Sequence, residues 1–133
     1  MRALAGTFSG STPALSAGCE ILDMLQEGYL GREGRINDIH NRFIKMLNDL
    51  NQTTCSNLLN DAGGMGLMVA VTPYDGKKEQ VDQLLKRMFN NGLIAFNCGK
   101  DPMRVRFLIP ATIENKDIDR AKELIEKSML EGV

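Results

Sequence analysis

The 133-residue sequence has no tryptophan, a single histidine, three cysteines and four prolines, and aromatic residues make up 5% of it. One histidine excludes a histidine-rich metal site. Cys19, Cys55 and Cys98 are odd in number, far apart and without CxxC spacing. They read as lone thiols in a reducing compartment, with neither a disulfide framework nor a zinc site. Long apolar runs are missing as well. The longest, Leu67 to Val71, is far too short to span a bilayer. No secretory leader is visible, because Met1-Arg2-Ala3-Leu4-Ala5 runs straight into a Gly/Ser/Thr segment. The expectation is a cytoplasmic protein. Nor is there an excess of one charge. Sixteen Lys and Arg stand against seventeen Asp and Glu, a net charge of −1. That balance lacks the basic footprint of a nucleic-acid binder and the polybasic cluster of a membrane-surface protein.

What is present suits an ordinary folded domain: 43% hydrophobic and 25% charged residues. The length fits one domain over 1–133. A folded chain of this size hides roughly two-thirds of its extended surface, enough for a core without staples.

Helical periodicity appears four times. Pro13 to Glu27 carries Ala14, Ala17, Ile21, Leu22 and Leu25 behind a Ser11 or Thr12 cap, and Gly28 and Gly31 stop it. Arg35 to Leu50 aligns Ile36, Ile39, Phe43, Met46, Leu47 and Leu50, with Asp38 and Arg42 as a favourable i,i+4 pair on the wet side. Lys77 to Asn90 groups Val81, Leu84, Leu85, Met88 and Phe89. Asn115 to Leu130 groups Ile118, Ala121, Leu124, Ile125 and Met129.

Between the helices, a glycine cluster (Gly63-Gly64-Met65-Gly66) leads into a buried strand at Leu67–Val71, with a short strand near Leu58-Leu59. Two further strands, Leu93–Phe96 and Met103–Ile109, flank the turn Cys98–Pro102 and should pair antiparallel. The fold expected is α+β, a small antiparallel sheet of three to four strands with helices on one face. In the last strand, Met103, Val105, Phe107 and Ile109 point one way. Arg104, Arg106 and Leu108 point the other, onto an uncovered face.

Two phosphate-loop motifs fail on inspection. Gly64-Met65-Gly66 lacks the third small residue of a dinucleotide fingerprint and precedes a strand where it should follow one. Gly76-Lys77-Lys78 has no glycine five positions earlier and no Ser or Thr after the lysine. His40 lies at the edge of an apolar stripe and reads as a packing histidine. Asn51-Gln52-Thr53 matches a glycosylation sequon only formally. Two candidates remain. Gly6-Thr7-Phe8-Ser9-Gly10-Ser11-Thr12-Pro13 is either a capped loop or a phosphate cradle of hydroxyls, backbone N–H groups and a helix N-terminus. Arg104 and Arg106 are either a solvated strand face or a guanidinium fork for a carboxylate.

These residues carry a resemblance. Gly6-Thr7-Phe8-Ser9-Gly10, then Pro13 and an Ala/Gly-rich helix, resembles the segment after the Schiff-base lysine of class III aminotransferases. These are the pyridoxal-phosphate enzymes of the ornithine, acetylornithine, 4-aminobutyrate and glutamate-semialdehyde group. Gly64 to Val71 resembles their glycine-rich strand entry, and Asn91-Gly92-Leu93-Ile94 their next strand. Arg104-Val105-Arg106-Phe107-Leu108-Ile109-Pro110 with Ile113-Glu114 resembles their carboxy-terminal block. The four blocks keep the family's order across the chain. Three positions depart from its pattern: Gly10-Ser11-Thr12-Pro13 is one residue longer, Gly63 replaces a frequent arginine, and Ile109-Pro110-Ala111 replaces a double proline.

The resemblance implies the small carboxy-terminal domain of a fold-type I enzyme, with residues 1–33 leading in from a large domain. It assigns Gly6 and Thr7 to the phosphate of pyridoxal phosphate, reaching across a homodimer interface. It assigns Arg106, with its neighbour Arg104, to a substrate carboxylate. It places no catalytic residue and no metal ligand in this chain, since the Schiff-base lysine lies upstream of the position matching Thr7. The expectation is therefore a fragment inactive on its own and unable to hold the cofactor stably. Its parent would transfer an amino group from an amino donor to a 2-oxo acid. The alternative is a stand-alone α+β module that binds a ligand or a protein without catalysis.

Overall fold

A computed structural model describes Gly6 and residues 10–131. Eight elements follow one another: α1 (Thr12–Gln26), α2 (Arg35–Gln52), β1 (Leu59–Met65), β2 (Met68–Pro73), α3 (Lys78–Asn90), β3 (Phe96–Cys98), β4 (Arg104–Leu108) and α4 (Asn115–Leu130). The four strands form one antiparallel sheet in the order β1-β2-β4-β3. This is the expected α+β layer, with four strands.

Helices α2, α3 and α4 place their apolar stripes against one sheet face. Ile39, Phe43, Leu47 and Leu50 from α2 meet Val81, Leu84 and Met88 from α3 and Ile118, Ile125 and Met129 from α4. The sheet contributes Val69, Val71, Val105, Phe107 and Ile109 to the same core. Phe43 and Phe107 are tilted at 56° with ring centroids 5.2 Å apart, which locks α2 to β4. At helix 4 the start is secured by reciprocal capping between Glu114 and Asp117.

Several elements differ from what the sequence led one to expect. The glycine cluster is not a lead-in loop. Gly63, Gly64 and Met65 form the last three residues of β1, and β1 and β2 make a hairpin closed by Gly66 and Leu67, with φ of 54° at Gly66. A Cβ on Gly64 would lie 2.0 Å from the Met68 carbonyl oxygen, so glycine is what lets the two strands approach. The pairing of β1 shifts between Asn60 and Gly63, a bulge in which Asp61 takes a φ of 53°. The strand expected at Leu93–Phe96 pairs only at Phe96–Cys98.

Helix α1 forms within a residue of its expected limits, with Ser11 at its cap and Pro13 in its first turn, yet none of its residues is buried. Its apolar side chains find no place in the helical layer. Phe89, read as part of the α3 stripe, is 68% exposed. The i,i+4 pair between Asp38 and Arg42 does not form either. Arg35 takes Asp38 at 2.8 Å, and Arg42 reaches Asp119 on α4 at 2.8 Å, bridging two helices.

Candidate functional site

Alternation along β4 sends Val105 and Phe107 into the core and leaves Arg104, Arg106 and Leu108 on the opposite face. The ladder then fixes their neighbours. Ala70 of β2 and Phe96 of β3 stand on either side of Arg106, Cys98 stands beside Arg104, and Met68 beside Leu108. Among the described residues no helix covers this face at its centre: Met68, Phe96 and Leu108 are each about half exposed. The result is a shallow apolar surface with two guanidinium groups in it.

The two arginines are not equivalent. Arg104 Nη2 donates to the Ala70 carbonyl oxygen at 3.1 Å and also to the carbonyl of Asp61 in the β1 bulge. Its charge is occupied in holding the hairpin. Arg106 has no hydrogen bond and no ion pair among the described residues. Its Cζ lies 5.9 Å from the centre of the Phe96 ring. Its Nε, like that of Arg104, is out of solvent and without a partner among the described residues. A guanidinium left this way offers its planar fork to an anion, and a carboxylate matches that fork in two parallel hydrogen bonds. The apolar surround would strengthen the pairing once solvent is displaced.

Of the other residues singled out from the sequence, Gly6 is exposed and Thr7 lies outside the described residues. His40 is structural, as expected: its Nδ1–H donates to the Gly66 carbonyl at 2.7 Å, tying α2 to the hairpin turn. Cys55 is buried, Cys98 half-buried and Cys19 exposed, and all are free thiols. Among the described residues no group of His, Cys, Asp and Glu could hold a metal ion. No described helix is long and apolar enough to cross a membrane.

All eight lysines of the sequence lie on the surface. Five pair with carboxylates, and the hydrogen bond that Lys78 donates to Asp82 holds its ammonium above the usual pKa. A lysine that forms a Schiff base is desolvated, and all eight of these are exposed. The described residues therefore do not fit the aldehyde end of pyridoxal phosphate.

The contribution of Phe96 was missed in the sequence, where it ended the strand expected at Leu93–Phe96; it is instead the first residue of β3. The available signal was its position: across the short Cys98–Pro102 turn, an aromatic residue comes into register with the arginine strand.

Residues 1–129 match the family described as aminotransferase class-III. The chain belongs to the class III aminotransferases. The match favours that ancestry over a stand-alone binding module. This aminotransferase chain is 27% identical over 121 residues to the acetylornithine aminotransferase of Lactococcus lactis, covering 91% of the chain and 30% of that protein. It is 27% identical over 139 residues to the 4-aminobutyrate aminotransferase of Escherichia coli K12, covering 93% and 30%. The chain thus spans about 30% of the length of the curated relatives it matches. The fold is that of lysine aminotransferase from M. tuberculosis in the internal aldimine form, with a TM-score of 0.77 at 20% identity, over 98% of this chain and 28% of that one. A Bacillus anthracis aminotransferase aligns with a TM-score of 0.76 at 14% identity, over 98% and 31%.

Proposed function

We propose that this chain is the carboxy-terminal part of a pyridoxal-phosphate-dependent aminotransferase that moves an amino group from an amino donor to a 2-oxo acid. In it, Arg106 receives a substrate carboxylate. The observation that carries the assignment of Arg106 is the contrast on β4. Arg104 is committed to two main-chain carbonyls, while Arg106 has a free guanidinium on the open face. Family membership brings in the cofactor, and the surface lysines argue that its covalent anchor belongs to residues outside this chain. On this reading the 133-residue chain does not transaminate alone, Gly6 and Thr7 serve the cofactor phosphate in a homodimer, and the enzyme is cytoplasmic.

The test is made on the intact polypeptide that carries this sequence. Its native mass and absorption spectrum come first: a protein several times larger than 14.7 kDa, yellow from bound pyridoxal phosphate, is the expected result. A colourless protein of 14.7 kDa would overturn the catalytic reading. In the enzyme, Arg106→Lys should raise KM for a carboxylate-bearing substrate on the order of tenfold, since a point charge replaces a bidentate fork. An amine lacking the carboxylate should be handled much as before. Equal losses on both substrates would make Arg106 structural.

A further inference from the structure

Phe96 stands directly across the β3–β4 ladder from Arg106, and its ring lies against the guanidinium with 5.9 Å between Cζ and the ring centre. On the other side of Arg106 the ladder offers only Ala70, too short to touch a guanidinium face. Phe96 itself is 47% exposed and contributes nothing to the core, so packing under the helices does not explain an aromatic residue there. The protein gives Arg106 no hydrogen bond among the described residues. Of the two described residues directly opposite Arg106, Phe96 is the one whose side chain can lie against the guanidinium and restrict its rotamers.

We propose that Phe96 is a positioning residue for Arg106, holding the guanidinium by a cation–π contact so that its end-on fork, Nη1 and Nη2, is presented outward. The covered Nε supports that orientation. An N–H shut away from solvent cannot take part in a side-on pairing, which leaves the two terminal nitrogens as the available edge. A surface cation–π contact is modest in strength, but here its effect is to select one orientation of a long side chain before the ligand arrives. The proposal rests on the reading that Arg106 receives a carboxylate and adds what aims it.

The experiment uses the 133-residue chain labelled with 15N, and glutarate as the carboxylate probe. In the wild type the Arg106 ε-proton resonance should be displaced by the ring current of Phe96, and it should shift saturably with glutarate. Phe96→Leu should abolish the ring-current displacement and weaken glutarate binding about two- to fivefold, the range expected for a surface cation–π contact. Phe96→Tyr keeps a π face and should restore both. Glutarate should also shift the backbone amides of Ala70 and Phe96 saturably in the wild type, and Arg106→Lys, which has no guanidinium ε-proton to follow, should abolish that shift. If Arg106→Lys loses binding while Phe96→Leu binds as the wild type does, the positioning role is overturned and the carboxylate reading stands. If the Ala70 and Phe96 amides of Arg106→Lys still shift saturably with glutarate, the carboxylate reading fails by itself, because the ε-proton resonance of the wild type and of Phe96→Leu still reports whether the ring holds the guanidinium. A resonance unaffected by Phe96→Leu would overturn the stacking.

Discussion

Arg104 and Arg106 stand two residues apart on one strand and face the same way, yet they should respond to substitution in opposite fashion. Arg104→Ala removes the donor to two main-chain carbonyls of the β1–β2 hairpin. It should lower stability by roughly 1–3 kcal/mol, read by chemical denaturation. Arg106→Ala removes no hydrogen bond of the described structure and should stay within about 0.5 kcal/mol of the wild type. Cys55 poses a different residue-scale question. Burial pushes its thiol pKa up, against a smaller lowering by the Thr54 hydrogen bond, and the Glu126 charge adds a little to the rise. A raised folded-state pKa means that the folded protein holds this proton more tightly than the unfolded one. The stability it confers is complete below the ordinary thiol pKa of about 8.5 and is lost as pH rises from there through the folded value. Denaturation midpoints should therefore fall from about pH 8.5 upward, and less so in Cys55→Ala. Iodoacetamide should modify exposed Cys19 first, half-buried Cys98 next, and Cys55 only on unfolding.

At the scale of elements, the hairpin shows how close two strands can come when one is built from glycine. Gly64→Ala would push a Cβ against the Met68 carbonyl, and a cost of about 1–3 kcal/mol is expected from thermal melts. The same glycines are why β1 was illegible in the sequence. Of its seven residues only Leu59 is buried, so alternation had almost nothing to mark. Helices were easier, because Ile39, Phe43, Leu47 and Leu50, or Ile118, Ile125 and Met129, repeat at the period of a turn and all reach the core. Periodicity states which face is apolar; it does not state whether anything lies against that face, and α1 is the result. The open face with Arg104 and Arg106 was legible from alternation in β4. What separates the two arginines was not, since the Asp61 and Ala70 carbonyls come from distant strands; only Phe96, across the short turn before β4, left a signal in the sequence. Arg42 illustrates the same limit. Its partner proved to be Asp119, 77 positions away, and not the aspartate one turn back.

At the scale of the whole molecule, two groups stand out among the exposed apolar side chains of the described residues. Leu15, Ile21, Leu22 and Met24 lie along α1, and Met65, Met68, Phe96 and Leu108 lie on the open sheet face. Such surface adds nothing to stability and favours association. Replacing Ile21 and Leu22 together by serine should leave the denaturation midpoint nearly unchanged while lowering binding of a hydrophobic dye. Leu47→Ala, at 0% exposure, should cost about 2–5 kcal/mol in the same assay. The order β1-β2-β4-β3 decides what form any association takes. The outermost strands are β1, bent by its bulge, and β3, only three residues long. Neither presents the long flat row of free N–H and C=O groups on which another chain can add a strand. Copies of this chain that stick together should do so through faces, as soluble clusters that redissolve on dilution, and should not seed fibres that bind thioflavin T.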